Sequence, residues 1–163
     1  DRTQFFRGEV DKYTWKAYGS SYLPSDMNAA YLWGQLEASD AIYADRMVTW
    51  QTYYRALQSL AEQGLVELPF IPEGCVHNAH MFYIKCTSLA QRTNCMAYLR
   101  DRGVYSTFHS SPAGRKYGRF SGEDEFTSRE SDRLLRLPIY YGMTQEDLST
   151  VVDAVSDFFR SRL

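Results

Sequence analysis

The chain has 163 residues, of which 44% are hydrophobic, 15% aromatic and 23% charged, a composition typical of one folded globular domain. Aromatic residues at this density exclude a disordered segment. The 18 basic and 20 acidic residues give a net charge of −2. There is therefore no basic excess to neutralise nucleic-acid phosphates, and we expect no nucleic-acid partner.

Several features of the sequence bear on its location. No apolar stretch approaches the roughly 18 residues that a membrane span requires, so we expect no membrane partner. Cys75, Cys86 and Cys95 are odd in number and lack the spacing of a disulfide framework, which favours reduced thiols and a cytoplasmic location. The chain begins at Asp1 without a Met or a signal-peptide core, which is typical of the interior of a gene.

The N-terminal part of the chain divides into an irregular segment and a helical one. Residues 1–24 show no sustained period and are predicted to form a loop or short strands. Pro24-Ser25-Asp26 supplies a helix N-cap and a first-turn acid, so residues 25–64 are predicted to form a long helix. A bend near Ser39-Asp40 would divide it into two helices, because both side chains compete with helical hydrogen bonding.

The remaining residues, 65–163, alternate between strand and helix patterns. The predicted strands are 65–68, 80–86, 104–108 and 135–140. The predicted helices are 88–102, 127–134 and a last helix that opens at Thr144 and has an apolar face of Leu148, Val151, Val152, Val155, Phe158 and Phe159. A long helix that leads into a small sheet with flanking helices is an α+β fold.

Two groups of side chains could support chemistry, although neither has the expected spacing. Cys75-Val-His77, followed by His80 and Cys86, offers zinc ligands, but a tetrahedral site usually begins with a C-x₂₋₄-C pair. Ordinary loop and strand residues are the favoured interpretation, and no metal site is predicted. A nucleophile pair of Cys95 and His109 has less support, because a cysteine on the buried face of a helix is usually inert.

The stretch Gly19–Asp26 is the most site-like part of the sequence. It places a glycine and three serine hydroxyl groups directly before a helix N-terminus, where free amides and the helix dipole attract anions such as phosphate. Ordinary capping by Ser25 is the favoured interpretation on spacing alone. The charge of Asp26 already complements the dipole.

A family resemblance begins in this same stretch. Gly19-Ser-Ser-Tyr-Leu-Pro-Ser-Asp-Met-Asn-Ala-Ala30, followed by Gln35-Leu36, resembles the G-[FY]-N-Y-R-M-[ST]-D-I-x-A-A…Q-L signature of the DegT/DnrJ/EryC1/StrS sugar aminotransferases. Ser21 and Leu23 depart from that signature, and with residues 7–15 they resemble one subgroup, which makes a dTDP-linked 4-amino sugar. The similarity continues through residues 68–69, 78–85, 114–124, 130–131 and 134–138.

The resemblance implies a fold-type I enzyme that uses pyridoxal phosphate and acts as a cytoplasmic homodimer. It would move an amino group from glutamate to C4 of a dTDP-linked 4-keto-6-deoxy sugar, for the synthesis of enterobacterial common antigen and lipopolysaccharide. The chain would be its C-terminal portion. Residues 1–24 would form an arm from the end of the large domain, 25–64 the connecting helix or helices, and 65–163 the small domain with a largely antiparallel sheet.

The resemblance also assigns roles to individual residues. It gives Ser21 a hydrogen bond to the cofactor phosphate of the partner subunit, and it places His109 on the substrate side. No lysine lies in the family's lysine motif, so the segment is expected to lack the Schiff-base lysine, to contain no catalytic residue and to be inactive alone. The lysines are Lys12, Lys16, Lys85 and Lys116.

Two further points follow from the comparison with the family pattern. Phe108-His109 runs directly into Ser110-Ser-Pro-Ala-Gly114, several residues short of the H-Y-x-P-L-H-like stretch that the family usually has, so His109 could also match its second histidine.

The alternative function is a stand-alone, non-catalytic binding or assembly module, which the missing lysine and the aromatic N-terminal arm would suit. The reading frame upstream of residue 1 distinguishes the two.

Overall fold

The computed structural model describes residues 2–9, 22–108, 122 and 125–161 of the chain. They belong to two compact units, Asp1–Glu37 and Ala38–Leu163. The elements in chain order are α1 (Arg2–Phe6), α2 (Asp26–Glu37), α3 (Ser39–Glu62), β1 (Phe82–Lys85), α4 (Leu89–Arg100), β2 (Thr107–Phe108), α5 (Glu125–Arg133), β3 (Leu134–Leu137) and α6 (Gln145–Arg160).

The first unit opens with a single helical turn, α1. The sequence predicted loop or short strands here, which is wrong for Arg2–Phe6. The Glu9 amide donates to the Gln4 carbonyl (2.9 Å), and Gly8 has a φ of +71°, as at many helix C-termini. A helix of this length is closed by local hydrogen bonds and is too short to show a hydrophobic period.

Helix α2 begins at the predicted position. The Ser25 Oγ accepts a hydrogen bond from the Asn28 amide (3.3 Å), and Asp26 lies in the first turn, so the predicted capping by Ser25 is confirmed. The helix has no buried residue. It ends at Glu37, and α3 begins at Ser39 after the single residue Ala38.

The second unit contains a three-stranded antiparallel sheet in the order β1-β3-β2. The α+β prediction is confirmed, but the strands are shorter than predicted. Residues 104–108 contribute only Thr107–Phe108, and residues 65–68 contribute one isolated bridge, between Glu67 and Lys85. The last part of the predicted strand 135–140 is absent, because β3 runs from Leu134 to Leu137 and ends before Pro138, which cannot donate a ladder hydrogen bond.

One face of the sheet packs on α3, α4 and α6 to form the core. Tyr53, Leu57 and Leu60 of α3 are fully buried. The sheet contributes Phe82, Ile84, Leu135 and Leu137, and α6 contributes Leu148, Val151, Val155, Phe158 and Phe159. The predicted apolar face of the last helix is thus confirmed, with Val152 partly buried at its edge. Within the described residues, no helix combines the length and the apolarity needed to cross a membrane.

Candidate functional site

The two site residues predicted from the family resemblance, Ser21 and His109, lie outside the described residues. The structure does describe the residues that follow Ser21 and precede His109 in the sequence. Tyr22 opens the segment that leads into α2, and Phe108 is the last residue of β2. The roles of Ser21 and His109 therefore stay predictions.

Two of the three histidines lie in the loop of residues 75–80, called here the histidine loop. The Nδ1 of His77 accepts from the Ala79 amide (3.3 Å). The Asn78 Oδ1 accepts from the His80 amide (3.2 Å) and lies 2.9 Å from its Nδ1. A proton on that Nδ1 leaves Nε2 as the acceptor nitrogen of the His80 ring. Ala79 has a φ of +50°, a costly backbone conformation for a residue with a Cβ.

An arginine of α3 fixes this backbone. The Arg46 Nε donates to the Ala79 carbonyl (3.0 Å), and its Nη2 donates to the His80 carbonyl. One guanidinium therefore binds two successive carbonyls and stabilises the left-handed residue between the two histidines.

Aromatic contacts attach the other end of the loop to the same helix. The His77 ring lies 4.4 Å from the ring of Trp50, which also contacts Tyr54 and Phe82 at 5.2 Å and 5.4 Å. The Tyr43 hydroxyl donates to the His77 carbonyl (3.5 Å). These contacts give His77 a structural role, since its ring packs on the core and its Nδ1 is already used.

The cysteines do not join the histidines in a site. Cys75 is exposed, whereas Cys86 and Cys95 are buried. Burial raises the pKa of the Cys86 thiol to about 12, so it resists conversion to the thiolate that binds metals. Across the described part of the chain, no group of three His, Cys, Asp or Glu side chains converges to hold a metal ion.

Lys85 is the one lysine within the described residues, and it belongs to an ion-pair network at the edge of the sheet. Its Nζ lies 2.7 Å from the Glu130 Oε2 and 3.6 Å from the Glu67 Oε2. The hydrogen bond to Glu130 is the main cause that raises the Lys85 pKa. The side chain is therefore held as an ammonium ion, which is a poor nucleophile.

Glu130 is the centre of this ion-pair network. It also pairs with the Arg129 Nε (3.1 Å) and the Arg133 Nη1 (3.3 Å). The hydrogen bond from Lys85 and its neighbouring cations lower the Glu130 pKa to about 2. Arg133 in turn pairs with Glu67, so the network joins α5, β1 and the segment that precedes the sheet.

A groove of about 310 Å³ lies at the N-terminal end of α6. Its lining includes Gly103, Tyr105, Tyr140, Met143 and Asp147. Asp147 completes the capping box of α6 with Thr144, and its hydrogen bond with Tyr140 raises the pKa of that phenol. The sequence predicts that the last helix opens at Thr144, but it gives no signal for the groove, because the walls of the groove come from three separate segments.

With this geometry established, comparison with known proteins identifies the family. The model of the DegT/DnrJ/EryC1/StrS aminotransferase family matches residues 3–156. The chain belongs to this family. The resemblance noted in the sequence is thereby confirmed at the level of the DegT/DnrJ/EryC1/StrS family.

Solved structures of aminotransferases share the fold. TlmJ from Streptoalloteichus hindustanus is 21% identical with a TM-score of 0.79, over 91% of this chain and 40% of that one. DesV from S. venezuelae is 22% identical with a TM-score of 0.73, over 93% and 41%. NtdA from Bacillus subtilis, solved with bound cofactor PMP, is 22% identical with a TM-score of 0.61, over 74% and 29%. The chain thus spans about two fifths of the length of TlmJ and DesV.

An aminotransferase of the DegT/DnrJ/EryC1/StrS family implies pyridoxal phosphate as cofactor, and the described residues do not form a complete site for it. Such a site needs a lysine that binds the cofactor covalently. Lys85 does not fit, because two carboxylates hold its ammonium group. Ser25 is already used as the cap of α2. The described part of the chain therefore contains no group suited to the covalent step.

Proposed function

We propose that the chain is the C-terminal part of a pyridoxal-phosphate-dependent sugar-nucleotide aminotransferase. The family match over residues 3–156 carries the proposal. The parent enzyme would transfer an amino group from glutamate to C4 of a dTDP-4-keto-6-deoxyhexose. Residues 7–15, Ser21 and Leu23 resemble the dTDP-4-amino-4,6-dideoxygalactose transaminase subgroup, and on that resemblance the enzyme would serve enterobacterial common antigen and lipopolysaccharide synthesis. A cytoplasmic homodimer is part of the same proposal.

In this proposal the chain positions groups at the site of the parent enzyme and does not perform the covalent chemistry. Ser21 would hydrogen-bond the cofactor phosphate of the partner subunit, and His109 would lie on the substrate side. Both assignments rest on the family resemblance, as do the domain boundaries 1–24, 25–64 and 65–163. The ion pairs of Lys85 support the proposal that this segment alone is inactive.

Cofactor binding by the chain tests the proposal of inactivity. The chain is mixed with pyridoxal phosphate, its absorbance is recorded, and any lysine adduct is reduced with borohydride and located by peptide mass mapping. We expect no stoichiometric adduct at one lysine and no transamination of a dTDP-4-keto sugar by glutamate. The Lys85→Met variant is the matched control, and it should label as the wild type does. A single-site adduct that supports turnover would overturn the proposal.

One observation favours the alternative of a non-catalytic binding or assembly module. Helix α2 has no buried residue and exposes Met27, Tyr31 and Trp33, an apolar surface of the kind that partners cover. The gene upstream of residue 1 distinguishes the alternatives. A continuous reading frame with the family's lysine motif supports the aminotransferase, and a start codon beside Asp1 supports the module.

A further inference from the structure

The face of the sheet opposite the core carries polar side chains. Residues alternate between buried and partly buried along β1 and β3, as expected when only one face of a sheet packs on helices. Phe82 and Ile84 point to the core, so Tyr83 and Lys85 lie on the other face. Arg136 lies on that same face, because it is paired with Tyr83.

The strand register places three hydrogen-bond donors in one row on this face. Arg136 of the central strand is opposite Tyr83 of β1 on one side and Thr107 of β2 on the other. Directly opposed residues have Cβ atoms about 4.5–5.5 Å apart. Tyr83, Arg136 and Thr107, called here the donor row, therefore span about 10 Å across the whole sheet.

Among the described residues, no carboxylate pairs with Arg136, and this distinguishes it from its charged neighbours. Lys85 and Arg133 are both paired with Glu67 and Glu130. Within the described part of the chain, the Nε of Arg136 is buried and has no hydrogen-bond partner. A buried donor without a partner is costly, and such a group in a native structure calls for an explanation, of which a bound ligand is one.

We propose that the donor row binds the diphosphate of a nucleotide-linked substrate. The inference rests on the proposed function and names the part of the substrate that this chain would hold. A guanidinium binds phosphate oxygens through two parallel hydrogen bonds, and the hydroxyls of Tyr83 and Thr107 donate on either side. A single carboxylate, such as that of glutamate, would engage Arg136 alone, whereas two linked phosphates extend along the row.

Titration of the 163-residue chain with pyrophosphate at low salt, followed by calorimetry and by amide chemical shifts, tests the inference. Arg136→Gln is expected to weaken binding about tenfold, which corresponds to about 1.4 kcal/mol. The matched control is Arg55→Gln, since Arg55 is an exposed arginine on α3 bonded to Gln51. It removes the same charge and should change the affinity less than twofold. Equal weakening in the two variants would overturn the inference.

Further arms identify the ligand and control for folding. Thymidine diphosphate should bind in an Arg136-dependent way, and thymidine and glutamate should bind at least tenfold more weakly; tighter binding of glutamate than of pyrophosphate would overturn the inference. Thermal unfolding monitors the fold of Arg136→Gln, and Arg136→Lys, which keeps the charge without the planar fork, should bind with intermediate affinity. An Arg136→Lys variant that binds pyrophosphate no more tightly than Arg136→Gln would overturn the inference.

The outcome is separable from that of the proposed function. Pyrophosphate binding is measured without cofactor or turnover. If the chain proves active with pyridoxal phosphate, the proposal of inactivity fails while the donor row is still tested by the Arg136 and Arg55 variants. If pyrophosphate does not bind, the donor row fails while the family's activity in the parent enzyme is unaffected.

Discussion

Replacement of Glu130 by glutamine tests how much the ion-pair network stabilises the second unit. Glu130 accepts contacts from Lys85 at 2.7 Å, Arg129 at 3.1 Å and Arg133 at 3.3 Å. Glutamine keeps the shape of the side chain and one acceptor oxygen, but it removes the negative charge. The variant therefore isolates the charge from the packing.

The structure allows a rough estimate of the loss. Arg129 is 64% exposed, so its pair with Glu130 contributes little, since exposed ion pairs contribute about 0.2–1 kcal/mol. Lys85 and Arg133 are 24% and 20% exposed and Glu130 is 16% exposed, which places their pairs near the upper end of that range. We expect Glu130→Gln to lower the free energy of unfolding by about 2 kcal/mol. For a chain of this length, the Tm should fall by about 4–8 °C.

The pKa of Glu130 gives this prediction a pH dependence. Folding lowers that pKa from 4.5 to about 2, so the folded state binds the proton less readily than the unfolded state. The stabilisation is complete above pH 4.5, decreases as the pH falls below that value, and is lost near pH 2. The difference between wild type and Glu130→Gln should therefore be largest near neutral pH and smaller at pH 3.

Urea unfolding followed by tryptophan fluorescence at pH 7 and pH 3 measures this difference. Glu62→Gln is the control, because Glu62 is an exposed residue of α3 that accepts a hydrogen bond from Gln58 and lies outside the ion-pair network. It should change stability by less than about 0.5 kcal/mol. A Glu130 variant as stable as the Glu62 variant at pH 7, or a larger effect at pH 3 than at pH 7, would refute the reasoning.

Three further predictions concern the core, the thiols and the histidine loop. Tyr53→Phe should destabilise the protein by about 1–2 kcal/mol in urea unfolding, because the Tyr53 hydroxyl donates to the Pro138 carbonyl (2.8 Å); an unchanged midpoint would contradict this. With a thiol-specific disulfide reagent, exposed Cys75 should react rapidly and buried Cys86 only on unfolding, so Cys75→Ser should abolish the fast phase. Arg46→Ala should speed amide exchange in the histidine loop about tenfold, through the loss of two hydrogen bonds, and unaltered protection there would show that Arg46 does not hold the loop.

The sequence predicted those features whose signals lie close together in the chain. The sequence predicts that the last helix opens at Thr144, and Thr144 forms a capping box with Asp147 at the start of α6. It also predicts a helix over residues 88–102, which is observed as α4, Leu89–Arg100. The two capping residues of α6 lie three positions apart, so local spacing is enough to predict where that helix begins. The apolar face of α6 follows from the helical period for the same reason.

Features that depend on distant residues could not be predicted in this way. The strand pattern of residues 65–68 yields only the bridge between Glu67 and Lys85, because a strand's length depends on the partner it meets. The pair of Glu67 with Arg133 and the contact of Arg46 with the histidine loop likewise join separate segments. The predicted roles of Ser21 and His109 came from the family signature. From residue chemistry alone, Ser21 would be only a residue near the cap of α2, and His109 only a histidine at the end of a predicted strand.

The strand order has a consequence for synthesis of the chain. Both edge strands, β1 and β2, precede the central strand β3 in the sequence. A ribosome therefore releases Phe82–Lys85 and Thr107–Phe108 before either has the partner that it pairs with in the finished sheet. Strands in that condition can pair with other chains. Once Leu134–Leu137 has emerged, β1 and β2 can both pair with β3. The period in which these two strands can pair with other chains therefore ends for both at the same late point of synthesis.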